Sequence, residues 1–208
     1  MARYKQNARN RAVSETRQRL LEAAVIEFSR QGYAEANINR ISEAAGFAKG
    51  TVYNYFPSKQ ALMLTLIEEV GAAHLDFITR QVRAEEDSRR RVECFYAAGF
   101  AYVEAHPVEA HFLISTLYGA EEEFKQAMYH AYQPMFQLVT EDILTPGIAR
   151  GEFQVSDPAR TAALLMTIYL GSSSNVGPDG KVWLSAKEVA AFVLQALQKV
   201  DETIHQEE

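Results

Sequence analysis

Residues Asn37 to Lys59 read NINRISEAAGFAKGTVYNYFPSK, and the fold turns on how this stretch is read. Asn37 is a residue type that caps helices, and Ile38, Ile41 and Ala45 behind it recur at helical spacing. Gly46 breaks this short helix. After a tight turn, Lys49 to Phe56 reads as a second short helix, stopped by Pro57. Two helices of about two turns each, joined at a glycine, form a helix-turn-helix candidate. At about 100° per residue, Val52 and Phe56 fall on one side of the second helix, with Gly50 and Asn54 opposite and Thr51 and Tyr53 flanking them. Val52 and Phe56 are then placed to pack on Ile41 and Ala45, leaving a small, polar face outward. The alternative is an αα-hairpin that merely packs.

That outward face has the chemistry of a groove binder. Gly50 removes bulk, so the backbone can come close to a duplex. Lys49, Thr51 and Tyr53 can reach phosphates, and Asn54 can pair bidentately with adenine. Lys59 opens the next helix and sets a positive charge beside exposed amide groups, a phosphate contact. Charge agrees: residues 1–59 hold 10 Lys or Arg against 5 Asp or Glu, and residues 60–208 hold 11 against 22. The net charge of −6 over 208 residues argues, taken whole, against a nucleic-acid partner. A basic head on an acidic body argues for one at that end.

Outward from this stretch almost everything reads as helix, with about nine in all. Residues 1–13, with Arg3, Lys5, Arg9 and Arg11 and no repeating apolar face, read as a mobile basic arm. Ser14 caps a first helix carrying Leu20, Leu21, Ala24, Val25 and Phe28 inward, ended by Gly32. Ser58 caps a long fourth helix with Leu62, Leu66, Val70, Ala73, Phe77 and Ile78 on its buried side. Helices follow from Ser88 to about His106, from Val108 to Tyr118, and from Glu121 to Arg150, the last bent at Pro134. Asp157 and Pro158 start the eighth. Gly171 to Leu184 is a loop, and Ser185 with Glu188 forms a capping box for the last helix. Arg89 to Arg91 reads as a solvated face, and Glu121 to Glu123 as an acidic first turn.

Several classes are excluded. The 48% hydrophobic and 23% charged composition is that of a globular chain with a core. The longest apolar stretch, Ala162 to Leu170, is far short of the roughly 20 residues of a membrane span. No secretory signal is expected, and the lone Cys94 fits a reducing, cytoplasmic compartment. The residues offer no catalytic constellation, no metal-ligand spacing and no cofactor motif.

The residues from LLEAAVIEFSRQGY through ISEAAGFAKGTVYNYFPSKQAL resemble the DNA-binding head of the TetR family of bacterial transcriptional regulators. The glycine turn, Tyr53, the Tyr55-Phe56 pair, Pro57 and Lys59 carry the likeness, and GIARGEF followed by DPARTAALLM is a second, looser feature. The resemblance implies an all-α chain with a three-helix DNA-binding head over residues 14–74 (helix-turn-helix 37–56) and a ligand-binding and dimerisation body over 75–208. It implies a homodimeric regulator, usually a repressor, that leaves a palindromic operator when a small molecule binds the body. The rival reading is a DNA-bound protein-interaction factor with no small-molecule inducer. By matching positions, Lys49, Thr51, Tyr53, Asn54 and Tyr55 lie in or beside the major groove, and Asn37 and Lys59 hold the backbone. Ala48 stands where the family often has a serine that caps and touches phosphate, and Asn37 replaces a usual threonine.

In the body, polar groups set among aromatics are the pocket candidates: His74, Glu104, His111, Tyr118, Tyr132 and Tyr169. The last two helices carry apolar stripes, with Ala162, Leu165, Met166 and Tyr169 on one and Val189, Phe192, Val193, Ala196, Leu197 and Val200 on the other. Leu165, Met166, Tyr169, Val189, Phe192, Val193 and Leu197 are the expected dimer interface, in an intermolecular four-helix bundle. Such a dimer would set two recognition helices at about 34–36 Å or a multiple of it.

Overall fold

The computed structural model describes the backbone of residues 2–198 and the side chains of residues 10–198. Among them the fold is all helical apart from one isolated bridge between Val176 and Val182. The described residues divide into two compact units, one of residues 2–71 with Val108–Ala131, the other of Ala72–Pro107 with residues 132–198. The expected division between residues 74 and 75 falls instead between Gly71 and Ala72, and Val108–Ala131, expected in the body, groups with the head.

In unit 1, α1 (Ala2–Glu35) is broken at Gly32, whose φ of 71° and ψ of 174° lie outside the helical region. Residues 2–13 are the opening turns of α1 rather than an irregular arm. The sequence before Gly32 holds neither glycine nor proline, so a helix nucleated on the apolar face of Leu20 to Phe28 propagates back at little cost. The side chains of Arg3, Lys5 and Arg9 lie outside the described residues. α2 (Ile38–Ala44) is capped by Asn37, whose side chain accepts the Asn39 N–H at 2.9 Å.

The next element is a single 3-10 turn (Thr51–Asn54), shorter than the expected helix over Lys49 to Phe56. Gly50 explains this, since its φ of 77° is left-handed and cannot lie inside a right-handed helix. α3 (Lys59–Arg83) follows, with the Ser58 hydroxyl accepting the Ala61 N–H at 3.0 Å. α5 (Pro107–Leu117) and the start of α6 (Glu122–Gln137) complete the unit. Its core holds Leu20, Ala24, Phe28, Ile41, Val52, Phe56, Leu62 and Leu66. Phe124 of α6 meets Tyr33 edge-on with ring centroids 4.5 Å apart, and Gln60 donates to both carboxylate oxygens of Glu123. These contacts are what bring Val108–Ala131 into the head.

In unit 2, the rest of α3 lies with α4 (Ser88–Ala105), the end of α6, a π-helical segment (Leu138–Leu144), α7 (Thr145–Ala149), α8 (Pro158–Ser173) and α9 (Ala186–Ala196). The helix expected from Glu121 to Arg150 is thus three pieces, with α6 running through Pro134 and the π segment following it. Asp157 caps α8 with Pro158 in its first turn, and Ser185 and Glu188 form the capping box of α9. The loop after α8 is closed by the Val176–Val182 bridge. Phe95, Tyr96, Met135, Ile143, Ala162, Tyr169, Ala190 and Val193 lie in its core. Ala73 and Ala196, expected to face inward, are exposed, and Val200 lies outside the described residues.

Candidate nucleic-acid interface

The 3-10 turn is held from beneath. Val52 is fully buried and Phe56 nearly so, as the periodicity predicts. The Val52 N–H donates to the hydroxyl of the buried Ser42 on α2 at 3.3 Å. The guanidinium of Arg17 lies 5.5 Å from the Phe56 ring centroid and pairs with Glu69, and that of Arg19 lies 4.9 Å from the ring of Phe47. Ser42, Arg17 and Arg19 are positioning residues that the sequence reading missed. A serine four residues before the turn glycine Gly46 is the local signal for Ser42.

Outward lies the expected polar face. Tyr53 is 53% exposed, Asn54 and Lys49 are exposed, and Thr51 and Tyr55 are half-buried. Several of these groups already have partners within the unit. The Thr51 hydroxyl donates to the Ala48 carbonyl at 2.7 Å. Lys49 pairs with Glu43 at 3.5 Å. Asn37 spends its side chain on the α2 cap, and its N–H donates to Glu27 at 3.0 Å. Lys59 donates to the Ala34 carbonyl at 2.8 Å with its ammonium 5.0 Å from the Tyr33 ring centroid. At Gly50 a Cβ would meet nothing within 4 Å. The left-handed backbone requires the glycine, and the space around it is open.

Of the six pocket candidates, unit 2 brings three together. His74 is buried, with Nδ1 2.7 Å from the Tyr132 hydroxyl and Nε2 2.8 Å from the Tyr169 hydroxyl. A neutral imidazole has one N–H and one bare nitrogen, so one hydroxyl accepts and the other donates. Tyr102 stacks on the His74 ring at 4.4 Å, and Phe95 lies 5.3 Å from the Tyr169 ring. Burial, helped by the nearby charge of His106, pulls the His74 pKa down to about 4, and burial pushes both phenols above the usual tyrosine range. The remaining three candidates stand apart. Glu104 is exposed and accepts the Val182 N–H at 3.3 Å, while His111 and Tyr118 are exposed residues of unit 1.

The expected dimer residues need the largest correction. Leu165, Met166, Tyr169, Val189, Val193 and Leu197 are all buried in the core of unit 2, and only Phe192 is exposed, at 65%. The regular stripe on each helix serves the chain's own core. The apolar residue exposed beside it on α8 is Leu164, at 63%.

Among the described residues no group of His, Cys, Asp and Glu could hold a metal ion, and no helix is long and apolar enough to cross a membrane. Residues 20–66 match the family model for bacterial regulatory proteins of the tetR family. The chain is 30% identical over 185 residues to the uncharacterized HTH-type transcriptional regulator YvdT of Bacillus subtilis (strain 168), covering 86% of this chain and 94% of that one. Its fold is similar to that of the transcriptional regulator FadR from Bacillus subtilis in complex with stearoyl-CoA (TM-score 0.74, 19% identity, 86% of this chain and 96% of that one). It is also similar to AibR in complex with isovaleryl coenzyme A and operator DNA (TM-score 0.71, 15% identity, 88% and 97%). The held turn, its outward polar face and these likenesses together make the chain a DNA-binding transcriptional regulator of the TetR family.

Proposed function

We propose that the protein is a homodimeric repressor that grips a palindromic operator through the face around Tyr53 and Asn54 and lets go when a small molecule enters unit 2. The observation that carries this is the split in the 3-10 turn, with Val52 buried while Tyr53 and Asn54 stand in solvent. A turn that served only packing would gain nothing from an exposed tyrosine within it. Asn54 reads bases, Lys49, Thr51, Tyr53 and Tyr55 flank it, and Asn37 and Lys59 sit at the first turns of their helices, where phosphates are met. The second copy docks on the exposed apolar residues Leu164 of α8 and Phe192 of α9. The ligand is a small molecule recognised by the polar cluster of His74, Tyr132 and Tyr169. Stearoyl-CoA in FadR and isovaleryl coenzyme A in AibR, the latter with operator DNA, support a ligand-responsive reading.

The test is fluorescence anisotropy on duplexes from upstream of the protein's own gene against a random duplex of equal length. Preference for one upstream duplex by about a thousandfold or more is expected, lost in the Leu164→Glu, Phe192→Glu double variant, which should sediment as a monomer. Equal affinity for both duplexes overturns the reading.

A further inference from the structure

The three polar members of the cluster differ in burial and in the elements that carry them. Tyr169 is 1% exposed and wedged on α4, where a Cβ on Gly99 would come within 2.2 Å of its ring. Tyr132 is half-buried, although its hydroxyl reaches His74. It sits on α6 just before Pro134, which has no N–H to give the preceding turn, and the π-helical Leu138–Leu144 follows. π-helical turns within helices are rare and frequent at functional sites. Of the two phenols, Tyr132 is the more exposed and the one carried by an irregular helix.

We propose that Tyr132 holds the place of a ligand: when its side chain swings away, an uncharged molecule with one hydroxyl or carbonyl group takes over the hydrogen bond to His74 Nδ1, while Tyr169 stays on Nε2. This rests on the small-molecule reading above and narrows it to a chemical class. The class follows from the surroundings. The rings of Tyr102, Phe95 and Phe100 face His74 and Tyr169, offering flat apolar surfaces. His74 stays neutral near physiological pH, so it can give or take one hydrogen bond but supplies no countercharge. A carboxylate entering there would lose its hydration without gaining a cation. An aromatic or alicyclic alcohol, phenol or ketone suits both the apolar walls and the single free nitrogen.

The experiment uses the full chain and three probes: 4-methylphenol (the tyrosine side chain itself), 4-methylbenzoate and toluene. In Tyr132→Ala, calorimetry should show 4-methylphenol binding about tenfold or more tightly than either of the others, a hydrogen bond's worth of preference. Adding His74→Phe should abolish that preference. Equal binding of all three probes, or a preference that survives His74→Phe, overturns the proposal. Should Tyr132→Ala fail to fold, the unaltered protein supplies the readout by NMR relaxation dispersion. Exchange at Tyr132 and residues 138–144, with Tyr169 and Gly99 still, is expected; a Tyr132 as still as Tyr169 overturns it. Operator affinity measured alongside separates the two claims. Probe selectivity without operator binding counts against the regulator, and operator binding without selectivity counts against the site alone.

Discussion

Around the 3-10 turn of unit 1, exposed polar side chains stand on a buried apolar base, whereas in unit 2 His74 and Tyr169 are themselves buried among aromatic rings, with Tyr132 half-buried beside them. The two arrangements face different costs. Tyr53 and Asn54 are exposed, and a solvent-facing polar group can change partner at little cost. His74 and Tyr169 have no such reserve, and a buried donor or acceptor left unmatched costs about 1–3 kcal/mol. So the buried groups are tied to each other, His74 to both hydroxyls at 2.7 and 2.8 Å. A surface recognises by waiting. A packed core can admit a new polar group only by exchanging one bond for another, so on the reading proposed above a ligand there would have to replace a group already present.

The contrast breaks most visibly in acid. His74 titrates at about 4 when folded against an ordinary value of 6.5, because burial disfavours its charged form and His106 adds to the effect. Between those pH values the unfolded chain holds a proton that the folded one refuses, so stability falls as pH drops through the window and is flat on either side. The contribution is about 3 kcal/mol. Urea unfolding at steps across that window should show the natural chain losing about this much more than His74→Gln, which keeps hydrogen-bonding ability but does not titrate. Parallel curves for the two proteins would mean the ring is hydrated and the cluster no different from the head's surface.

A smaller effect probes how closely the cluster is packed. In Gly99→Ala the new methyl would meet the Tyr169 ring at 2.2 Å, far inside contact distance. The ring is fully enclosed, so helix or ring must shift, costing about 1–3 kcal/mol and loosening the His74–Tyr169 bond. Gly171→Ala on α8, where a Cβ meets nothing within 4 Å, is the matched control and should cost nothing or gain up to about 1 kcal/mol from helix propensity. Equal stabilities for the two variants would place Tyr169 among mobile groups and remove the distinction drawn between it and Tyr132.

What the sequence could disclose follows the same divide. The inward Val52 and Phe56, the Asn37 cap and the Ser185–Glu188 capping box are set within a few residues, and all are legible from spacing. The turn's true length was not, because the φ of Gly50 decides it and glycine tolerates either sign. His74 meets its partners across 58 and 95 positions of chain, a pairing that no local pattern encodes. His111 and Tyr118 offer the same residue types and end up exposed. The dimer residues failed for another reason. α8 and α9 each carry apolar groups on more than one side, and the most regular stripe goes to the chain's own core, leaving the irregular Leu164 and Phe192 outside.

The smallest effect separates the two lysines of the head. Lys49 and Lys59 both suggest phosphate contacts, yet they are differently engaged: Lys49 is in a solvent-exposed pair with Glu43, while Lys59 closes the end of α1 through Ala34 and covers the Tyr33 ring. An exposed pair contributes little, so Lys49→Ala should leave stability unchanged and lower the salt slope of operator binding by about one. Lys59→Ala should cost about 0.5–1 kcal/mol in stability, from the lost carbonyl partner and cation–ring contact. An ammonium has three donors and Ala34 occupies one, so a phosphate can still bind, and its salt slope should fall by about one as well. If stability drops while the slope holds, Lys59 is a fastening of the head and belongs with the committed groups of the core. On the proposed reading, the phosphate and base contacts would then fall to Lys49, Tyr53 and Asn54.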